Sequence, residues 1–423
     1  MKNNNLVLSK EQVDSVVALY TSGKIEQAIV AIKALNNDYP NVPLLFNILG
    51  ICYKALDQLK ASVKMFETAI AIKPDYAEAH NNLGITQMQL GQLDEAVESF
   101  KSALTIKPDY AEAHNNLGIT LKELNQLDDA VKSYEKAISI KPGYHEAYNN
   151  LGNILKALGR IDEAVKCYEQ TLAIKPSFSQ AHNNLGNALQ ELGQLNDALQ
   201  SFMNALNNSP DFAEAHNNLG ITQMQLGQLD EAVESFKSAL TIKPDYAEAH
   251  NNLGITLKEL NQLDDAVKSY EKAISIKSNF AEAHNNLGTL FKELGQLNTA
   301  AACYEKAIIV KPDYAYAHNN LGTLFKEIGK LNAAAACYEK AISIKPNYAE
   351  AFSNRGGVMA KLRRFEESLL SYEFACSLNP DIDLLLGNLL IIKMSLCDWG
   401  GLSNSLNELI TKINENVFDQ SFN

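Results

Sequence analysis

Apolar and small residues recur with helical spacing along residues 77–110, AEAHNNLGITQMQLGQLDEAVESFKSALTIKPDY. With Ala77 as position 1, positions 3, 4, 7, 8, 10, 11 and 14 form one apolar or small face of a first helix. A turn at Leu90-Gly91-Gln92 precedes a second helix, which Pro108 ends. The pattern predicts an antiparallel helix pair whose apolar face must be buried against neighbouring pairs.

This 34-residue pattern repeats without gaps along most of the chain. Position 32 is proline in every repeat except one, where Ser278 stands, and only Pro43 lies elsewhere in the frame. The frame gives eleven repeats, which begin at Ser9, Pro43, Ala77, Ala111, His145, Ser179, Ala213, Ala247, Ala281, Ala315 and Ala349. A fixed period of this length indicates a stacked array rather than a chain folded around one core.

Residues 77–141 are identical to residues 213–277, surface positions included. Packing alone cannot demand identity at the surface. The match therefore indicates a recent duplication or a sequence-assembly error, and we assign it no functional meaning.

The two ends of the chain depart from the pattern. Residues 1–8 form a polar lead, and the first repeat has Ser15 and Val16 where later repeats have Leu and Gly, as expected of a terminal cap. Residues 9–382 are assigned to the eleven repeats, 383–414 to capping helices that include Cys397-Asp398-Trp399, and 415–423 to an irregular tail. The amphipathic run after the tryptophan is expected to cover the open apolar end of the array.

Charge and composition argue against several classes of partner and site. The net charge of -13 and the isoelectric point near 5.2 argue against nucleic-acid or anionic-membrane partners. The six cysteines form no CxxC pair, so buried thiols in a reducing compartment are favoured over disulfides or metal ligands. The N-terminus has too short an apolar run for a signal peptide, and no stretch approaches the roughly 18 apolar residues of a membrane span. These features predict a cytoplasmic chain.

Asparagine at position 6 is the most informative polar feature. Positions 2, 5, 6, 9, 12 and 13 are expected to share the helix face opposite the packed one. An amide offers an acceptor and two donors, which match a peptide backbone whatever its side chains. The predicted peptide-binding ladder consists of Asn82, Asn116, Asn150, Asn184, Asn218, Asn252, Asn286, Asn320, Asn354 and Asn388. Two alternatives stay open: the amides tie one helix to the next, or duplication of a stacking unit copied them.

Other kinds of site fit the repeat poorly. A carboxylate clamp needs Lys or Arg at positions 2, 5 and 6, where this chain has mostly Glu and Asn. Histidine recurs at position 4, but equivalent side chains lie at least about 8–10 Å apart, too far to share one zinc ion, so we expect packing histidines and no metal. No nucleophile elbow, phosphate loop or HExxH motif occurs, so neither a cofactor nor catalysis is expected of this chain.

The repeat resembles the tetratricopeptide repeat (TPR) in its period and its NNLG pattern. This resemblance implies an all-α fold, a TPR α-solenoid in which helix-turn-helix repeats form a right-handed superhelix. The C-terminal part is more specific, because residues 388–409, NLLIIKMSLCDWGGLSNSLNEL, resemble the segment that closes the TPR arm of the protein O-linked N-acetylglucosamine transferases, including bacterial and SPINDLY-like members. That resemblance implies that the asparagine ladder lines a surface which receives protein substrates. Asp14 and Ile48 replace asparagine at position 6, so the first two repeats are expected to lie outside the ladder.

In that family a glycosyltransferase core that uses UDP-GlcNAc would begin about where this chain stops, and none of its catalytic residues can be assigned here. The preferred prediction is therefore a non-catalytic arm that binds extended protein segments or protein substrates. The alternative is a stand-alone TPR scaffold that assembles other proteins. Neither hypothesis names the partner, and the oligomeric state, a homodimer included, stays open.

Overall fold

The structure, a computed structural model, describes residues 8–382, 384–398, 400 and 410. Over these residues the regular secondary structure is all helical, which confirms the prediction of an all-α array of helix pairs. The chain divides into two compact bodies, an N-terminal body of residues 1–215 and a C-terminal body of residues 216–423.

The helices of the N-terminal body alternate between the first and second helix of each repeat. They are α1 (Lys10–Thr21), α2 (Ile25–Asp38), α3 (Pro43–Ala55), α4 (Leu59–Ile72), α5 (Ala77–Gln89), α6 (Leu93–Ile106), α7 (Ala111–Glu123), α8 (Leu127–Ile140), α9 (His145–Ala157), α10 (Ile161–Ile174), α11 (Ser179–Glu191) and α12 (Leu195–Asn208). Helix α13 (Ala213–Gln225) contains the boundary between the bodies.

The same alternation continues in the C-terminal body. Its helices are α14 (Leu229–Ile242), α15 (Ala247–Glu259), α16 (Leu263–Ile276), α17 (Ala281–Glu293), α18 (Leu297–Val310), α19 (Ala315–Glu327), α20 (Leu331–Ile344), α21 (Ala349–Lys361), α22 (Phe365–Leu378) and α23 (Leu385–Ser395). In regular repeats the first helix thus spans positions 1–13 and the second spans positions 17–30.

Position 15 reverses the chain between the two helices of a repeat. Its residue adopts a positive φ, 75° at Gly91 and 58° at Asn125, the left-handed conformation that glycine and asparagine accept most readily. At the other junction of most repeats the last helical residue is followed by Lys and Pro, and proline cannot continue a helix. At its N-terminus, helix α1 is stabilised by a capping box, in which Ser9 and Gln12 exchange hydrogen bonds of 3.3 and 3.0 Å.

A glycine at position 8 packs directly against an aromatic ring at position 24 of the same repeat. At Gly118 a methyl group would lie 2.8 Å from the Tyr134 ring, well inside van der Waals contact, and that ring is 1 % exposed. The same arrangement recurs from Gly50 with Phe66 to Gly356 with Tyr372. The missing Cβ therefore sets how closely the first and second helices approach.

The thiols follow the prediction of burial only in part. Cys52 is buried, and Cys167, Cys303 and Cys337 are half-buried beside the position-24 ring. Burial raises the pKa of the last three thiols to about 11, so they are protonated at neutral pH. Cys397 is exposed, because it lies in the turn that follows α23.

The two ends differ in how far their predicted caps can be assessed. In the first repeat Val16 is 1 % exposed and packs in a cluster with Ile29, Ile32 and Leu45. At the C-terminal end, α23 packs on α22 through Leu385. Asp383, Trp399, most of the predicted capping run and the predicted tail lie outside the described residues.

Replacing Gly118 by alanine is expected to lower the free energy of unfolding by a net ~1–2 kcal/mol. Overpacking against the Tyr134 ring costs about 1–3 kcal/mol, and the better helix propensity of alanine returns up to about 1 kcal/mol. Urea unfolding followed by helical circular dichroism measures the change. The control is Gly143→Ala in the same repeat, where an added Cβ has no neighbour within 4 Å. Equal stability of the two variants would contradict the proposed role of the glycine–ring contact.

Candidate functional site

The position-6 amides bond across the junction between consecutive repeats. In each case Nδ2 of the position-6 asparagine donates to Oδ1 of the position-5 asparagine in the preceding repeat. In the N-terminal body the pairs are Asn82 with Asn47 at 3.1 Å, Asn116 with Asn81 at 3.1 Å, Asn150 with Asn115 at 3.3 Å and Asn184 with Asn149 at 3.0 Å. In the C-terminal body they are Asn252 with Asn217 at 3.1 Å, Asn286 with Asn251 at 3.1 Å, Asn320 with Asn285 at 2.9 Å and Asn354 with Asn319 at 3.2 Å. The tie between helices that the sequence left open is therefore present in both bodies.

Position 5 does not lie on the open face, so the predicted face was wrong at this position. The position-5 asparagines are buried, for example Asn81 at 4 % and Asn285 at 7 % exposure. They point into the junction with the next repeat, where each accepts the bond from position 6. The second repeat also takes part, through Asn47, although Ile48 at its position 6 suggested otherwise. The recurrence of asparagine at position 5 was the available signal for this pairing.

Asn218 and Asn388 are the two remaining members of the predicted ladder. Asn218 lies in α13, where its Oδ1 is 3.4 Å from Nδ2 of Asn217 and its backbone carbonyl accepts a bond from Thr222. Asn388 lies in α23 and is half-buried, but Ser353 occupies position 5 of the preceding repeat. The amide acceptor that the other repeats supply is thus missing from the sequence at that step.

Each position-6 side chain for which the inter-repeat bond is described keeps part of its hydrogen-bonding capacity after that bond. All ten predicted ladder asparagines are half-buried rather than enclosed. An amide has two N–H donors and an oxygen with two lone pairs, and the inter-repeat bond uses one N–H. The bond fixes the plane of the amide, so the groups that face solvent have a defined direction.

A shallow cleft lies where the position-6 asparagine of one repeat meets the preceding repeat, and this junction is called a ladder step. One cleft, of about 270 Å³, is lined by Asn153, Lys156 and Tyr168 of one repeat and by Asn184 of the next. Its counterpart in the C-terminal body, of about 410 Å³, has Ile255, Lys258 and Tyr270 with Asn286. Positions 9, 12 and 24 of one repeat and position 6 of the next therefore surround the same kind of space in both bodies.

Position 9 makes the two clefts chemically different. In the first cleft Oδ1 of Asn153 accepts bonds from the Tyr168 hydroxyl at 2.8 Å and from Asn184 Nδ2 at 3.1 Å. Gln180 also donates to Oδ1 of Asn184 at 3.0 Å. The apolar Ile255 takes the position of Asn153 in the second cleft. One step of the ladder is thus a polar network, and its counterpart has a hydrophobic wall.

Charged side chains at positions 2 and 12 are mostly paired. Lys141 bonds to Glu112 of the same repeat at 2.9 Å, and this ammonium group holds the pKa of the Glu112 carboxyl below its usual range. At position 12, Lys258 reaches Glu293 of the next repeat at 2.7 Å. The position-2 acids Glu112, Glu248 and Glu282 therefore serve as partners for lysines at the end of the second helix.

The position-4 histidines bond to the chain rather than to each other. Nε2 of His114 donates to the carbonyl of Pro108 at 3.0 Å, and His250 and His284 make the equivalent bonds at 3.1 Å. Burial lowers the pKa of all three imidazoles, and the carbonyl bond opposes this only in part. Within the described residues no three His, Cys, Asp or Glu side chains gather closely enough to hold a metal ion.

Comparison with known proteins identifies the repeat. The family model described as TPR repeat matches residues 50–91, 86–124, 120–159, 152–193, 186–227, 222–261, 256–295, 288–329 and 324–362. The chain belongs to the TPR repeat family. The matched TPR region contains repeats and no catalytic domain, and TPR proteins bind peptides or other proteins. The right-handed superhelix and the link to the glycosyltransferases stay predictions.

Two solved structures that are similar to this TPR protein are each shorter than the chain. One is the crystal structure of YrrB, described as a TPR protein with an unusual peptide-binding site, which is 26 % identical, with a TM-score of 0.39 over 44 % of this chain and 96 % of that one. Another is the crystal structure of MamA, 26 % identical, with a TM-score of 0.37 over 39 % of this chain and 97 % of that one. No curated protein matches the chain. Among the helices that the structure describes, none has both the length and the apolar character needed to cross a bilayer.

Removing one donor of the TPR ladder should destabilise the array. The variant Asn286→Ala leaves Oδ1 of Asn251, a residue 6 % exposed, without its inter-repeat donor, which should cost about 1–3 kcal/mol. Urea unfolding measures the loss, and Asn298→Ala on the exposed surface of α18 is the matched control. If both variants were as stable as the unmodified chain, the amide pair would have no structural role.

The lowered pKa values of the position-4 histidines predict that the free energy of unfolding decreases on acidification. Their pKa values are lowered in the folded chain, so the unfolded chain binds more protons below its usual histidine pKa of about 6.5. The free energy of unfolding should therefore decrease as the pH falls through that value and be insensitive to these groups above it. Urea titrations from pH 7.5 to pH 5.5 should show a smaller decrease for the triple variant of His114, His250 and His284 to glutamine, which can still donate to the carbonyls. Identical decreases would contradict this assignment.

Proposed function

We propose that the first-helix face of this TPR protein binds extended polypeptide through the position-6 asparagines. The observation that carries the proposal is the fixed, half-buried amide of Asn252, Asn286 and Asn320, each of which retains an N–H donor and acceptor capacity after its inter-repeat bond. A peptide backbone offers the complementary groups at every residue other than proline.

The spacing of the ladder supports an extended ligand. Adjacent packed helices lie about 8–10 Å apart, and an extended chain rises about 3.3 Å per residue. Successive amides would therefore meet the ligand backbone about every third residue. Each bond contributes only about 0.5–1.5 kcal/mol net, so useful affinity requires several steps to be engaged together.

The side chains beside the ladder would add limited selectivity. The cleft at Asn153 presents amides and the Lys156 ammonium group, whereas the cleft at Ile255 presents a hydrophobic wall. A bound segment would place polar side chains in the first cleft and apolar side chains in the second. Backbone recognition would remain the common element, which fits a protein that receives many different segments.

Substituting the position-6 asparagines alone would confuse binding with stability, because each one also satisfies a buried acceptor. We therefore compare two variants of the full chain. The double variant changes Asn251 and Asn285 to alanine and removes two buried acceptors but keeps the ladder amides. The quadruple variant also changes their donors Asn286 and Asn320, so no buried partner is left unpaired.

The quadruple variant is expected to capture a pool of blocked peptides of randomised sequence at least about tenfold less well, the loss of roughly 1.4 kcal/mol or more. The double variant should retain most of the capture. Fluorescence anisotropy of the labelled pool measures binding, and circular dichroism checks that both variants are helical. Equal capture by the quadruple variant and the unmodified chain would remove the ladder from the proposed function.

The finer proposal is that this face belongs to the substrate-recognition arm of an O-GlcNAc-transferase-like protein. It is supported by the resemblance of residues 388–409, which include Cys397-Asp398-Trp399, and by the asparagine series itself. The alternative is a stand-alone scaffold that assembles proteins, which the repeat architecture supports equally. The two proposals differ in whether a glycosyltransferase core is joined to the array.

An immunoblot of the native product with an antibody against the repeats separates the two proposals. The transferase arm predicts a band nearly twice as large as the 46.6 kDa of this chain. A band at 46.6 kDa would favour the scaffold. The purified residues 1–423 are expected to show no transfer or hydrolysis of UDP-GlcNAc in either case.

A further inference from the structure

Two consecutive lysine–glutamate pairs between repeats of the C-terminal body are followed by a step that carries two lysines. Lys258 reaches Glu293 at 2.7 Å and Lys292 reaches Glu327 at 2.8 Å, each pair joining position 12 of one repeat to position 13 of the next. At the following step position 12 is Lys326, but position 13 is Lys361. Two lysines thus occupy the positions that hold a lysine and a glutamate, with no net charge, at the two preceding steps.

Lys326 lies directly beside the ladder. Its side chain is half-buried, and Nζ donates to Oδ1 of Asn354 at 3.4 Å. Burial, and then the charge of Lys361, lower the pKa of Lys326. Glu327 acts in the opposite direction, but its carboxylate is already bonded to Lys292. The positive charge at this step is therefore only partly compensated.

Other steps of the array do not combine these features. Lys156 pairs with Glu191 at a longer distance of 3.8 Å. Lys122 has Ala157 at the corresponding position of the next repeat, but it is an exposed single cation. The step at Lys326 and Lys361 differs because two lysines share it and one of them is partly withdrawn from solvent, where electrostatic interactions are screened less.

We propose that Lys326 and Lys361 bind the carboxylate of an aspartate or glutamate side chain in the segment that lies on the ladder. The inference rests on the proposed function. Ladder amides are in place on both sides of Lys326, at Asn320 and Asn354, so the segment continues past this step. A side-chain carboxylate therefore fits better than a chain terminus, and lysine ammonium groups give it strong charge-assisted hydrogen bonds.

This site would fix the register of the ligand. Asparagine amides bind any backbone and permit a segment to slide by whole steps along the ladder. One acidic side chain held at Lys326 and Lys361 would select a single position among these alternatives. The sequence-independent ladder would thereby gain a preference for segments that carry an acid.

The test uses the full chain and two pools of peptides with acetylated N-termini and amidated C-termini. Both pools are randomised without Asp or Glu, except for a central residue that is Glu in one pool and Gln in the other. Mass spectrometry of captured peptides should show about tenfold preference for the Glu pool at low salt, the size expected of one charge-assisted hydrogen bond. High salt should reduce the preference.

Two variants make the test specific. The variant Lys361→Glu restores the pairing found at the preceding steps and should bring the Glu-to-Gln ratio close to one while capture of the Gln pool is unchanged. The matched variant Glu293→Lys places a second lysine opposite Lys258 and should increase the ratio. Circular dichroism checks the fold of both.

The outcomes separate this inference from the proposed function. Equal capture of both pools by the unmodified chain would overturn the acidic-residue site and leave the ladder intact. No capture of either pool would overturn the proposed function and this inference with it. Tighter capture of the Gln pool when it is made with a free C-terminal carboxylate, with no Glu preference in the amidated pools, would overturn the assignment to a side chain.

Discussion

The close contact between glycine at position 8 and the ring at position 24 is the constraint on which the second to eleventh repeats depend. Because the ring sits 2.6 to 2.9 Å from where a Cβ would be, the two helices of a repeat can approach only with glycine at this position. That approach fixes the orientation of the first helix, and with it the directions of positions 5 and 6. The amide pairs between repeats can form regularly only because every first helix is set against its partner in the same way.

The fold could be predicted from the sequence because its signals are local and repeated. The same signals recur at a fixed period: helix ends such as Pro108, turns such as Gly91 and small residues such as Gly84. An ambiguous assignment in one repeat is therefore resolved by the equivalent residues of the others. The ends were harder to predict. Each end occurs once, so the capping box that Ser9 and Gln12 form in α1 could not be predicted from the repeat pattern.

The sequence analysis identified the asparagines of the candidate site but not how their side chains are arranged. The asparagine at position 6 was identified as part of an exposed face, and position 5 was placed beside it. A helical wheel treats the helix as facing only one neighbour, whereas a first helix in an array also faces the first helix of the next repeat. Asn81 therefore points into a junction that no single repeat contains. The broken charge pair at Lys361 is visible only once the partner of each lysine is known.

The amide pair has a consequence for how such an array changes length during evolution. A repeat with asparagine at positions 5 and 6 carries one donor for the repeat before it and one acceptor for the repeat after it, as Asn116 and Asn115 do. Insertion or loss of any whole number of such repeats therefore leaves each junction matched. The identical blocks 77–141 and 213–277 begin at the same position of the repeat and each retain both amides. Surface length can thus vary by copying, without a compensating mutation at the new boundary.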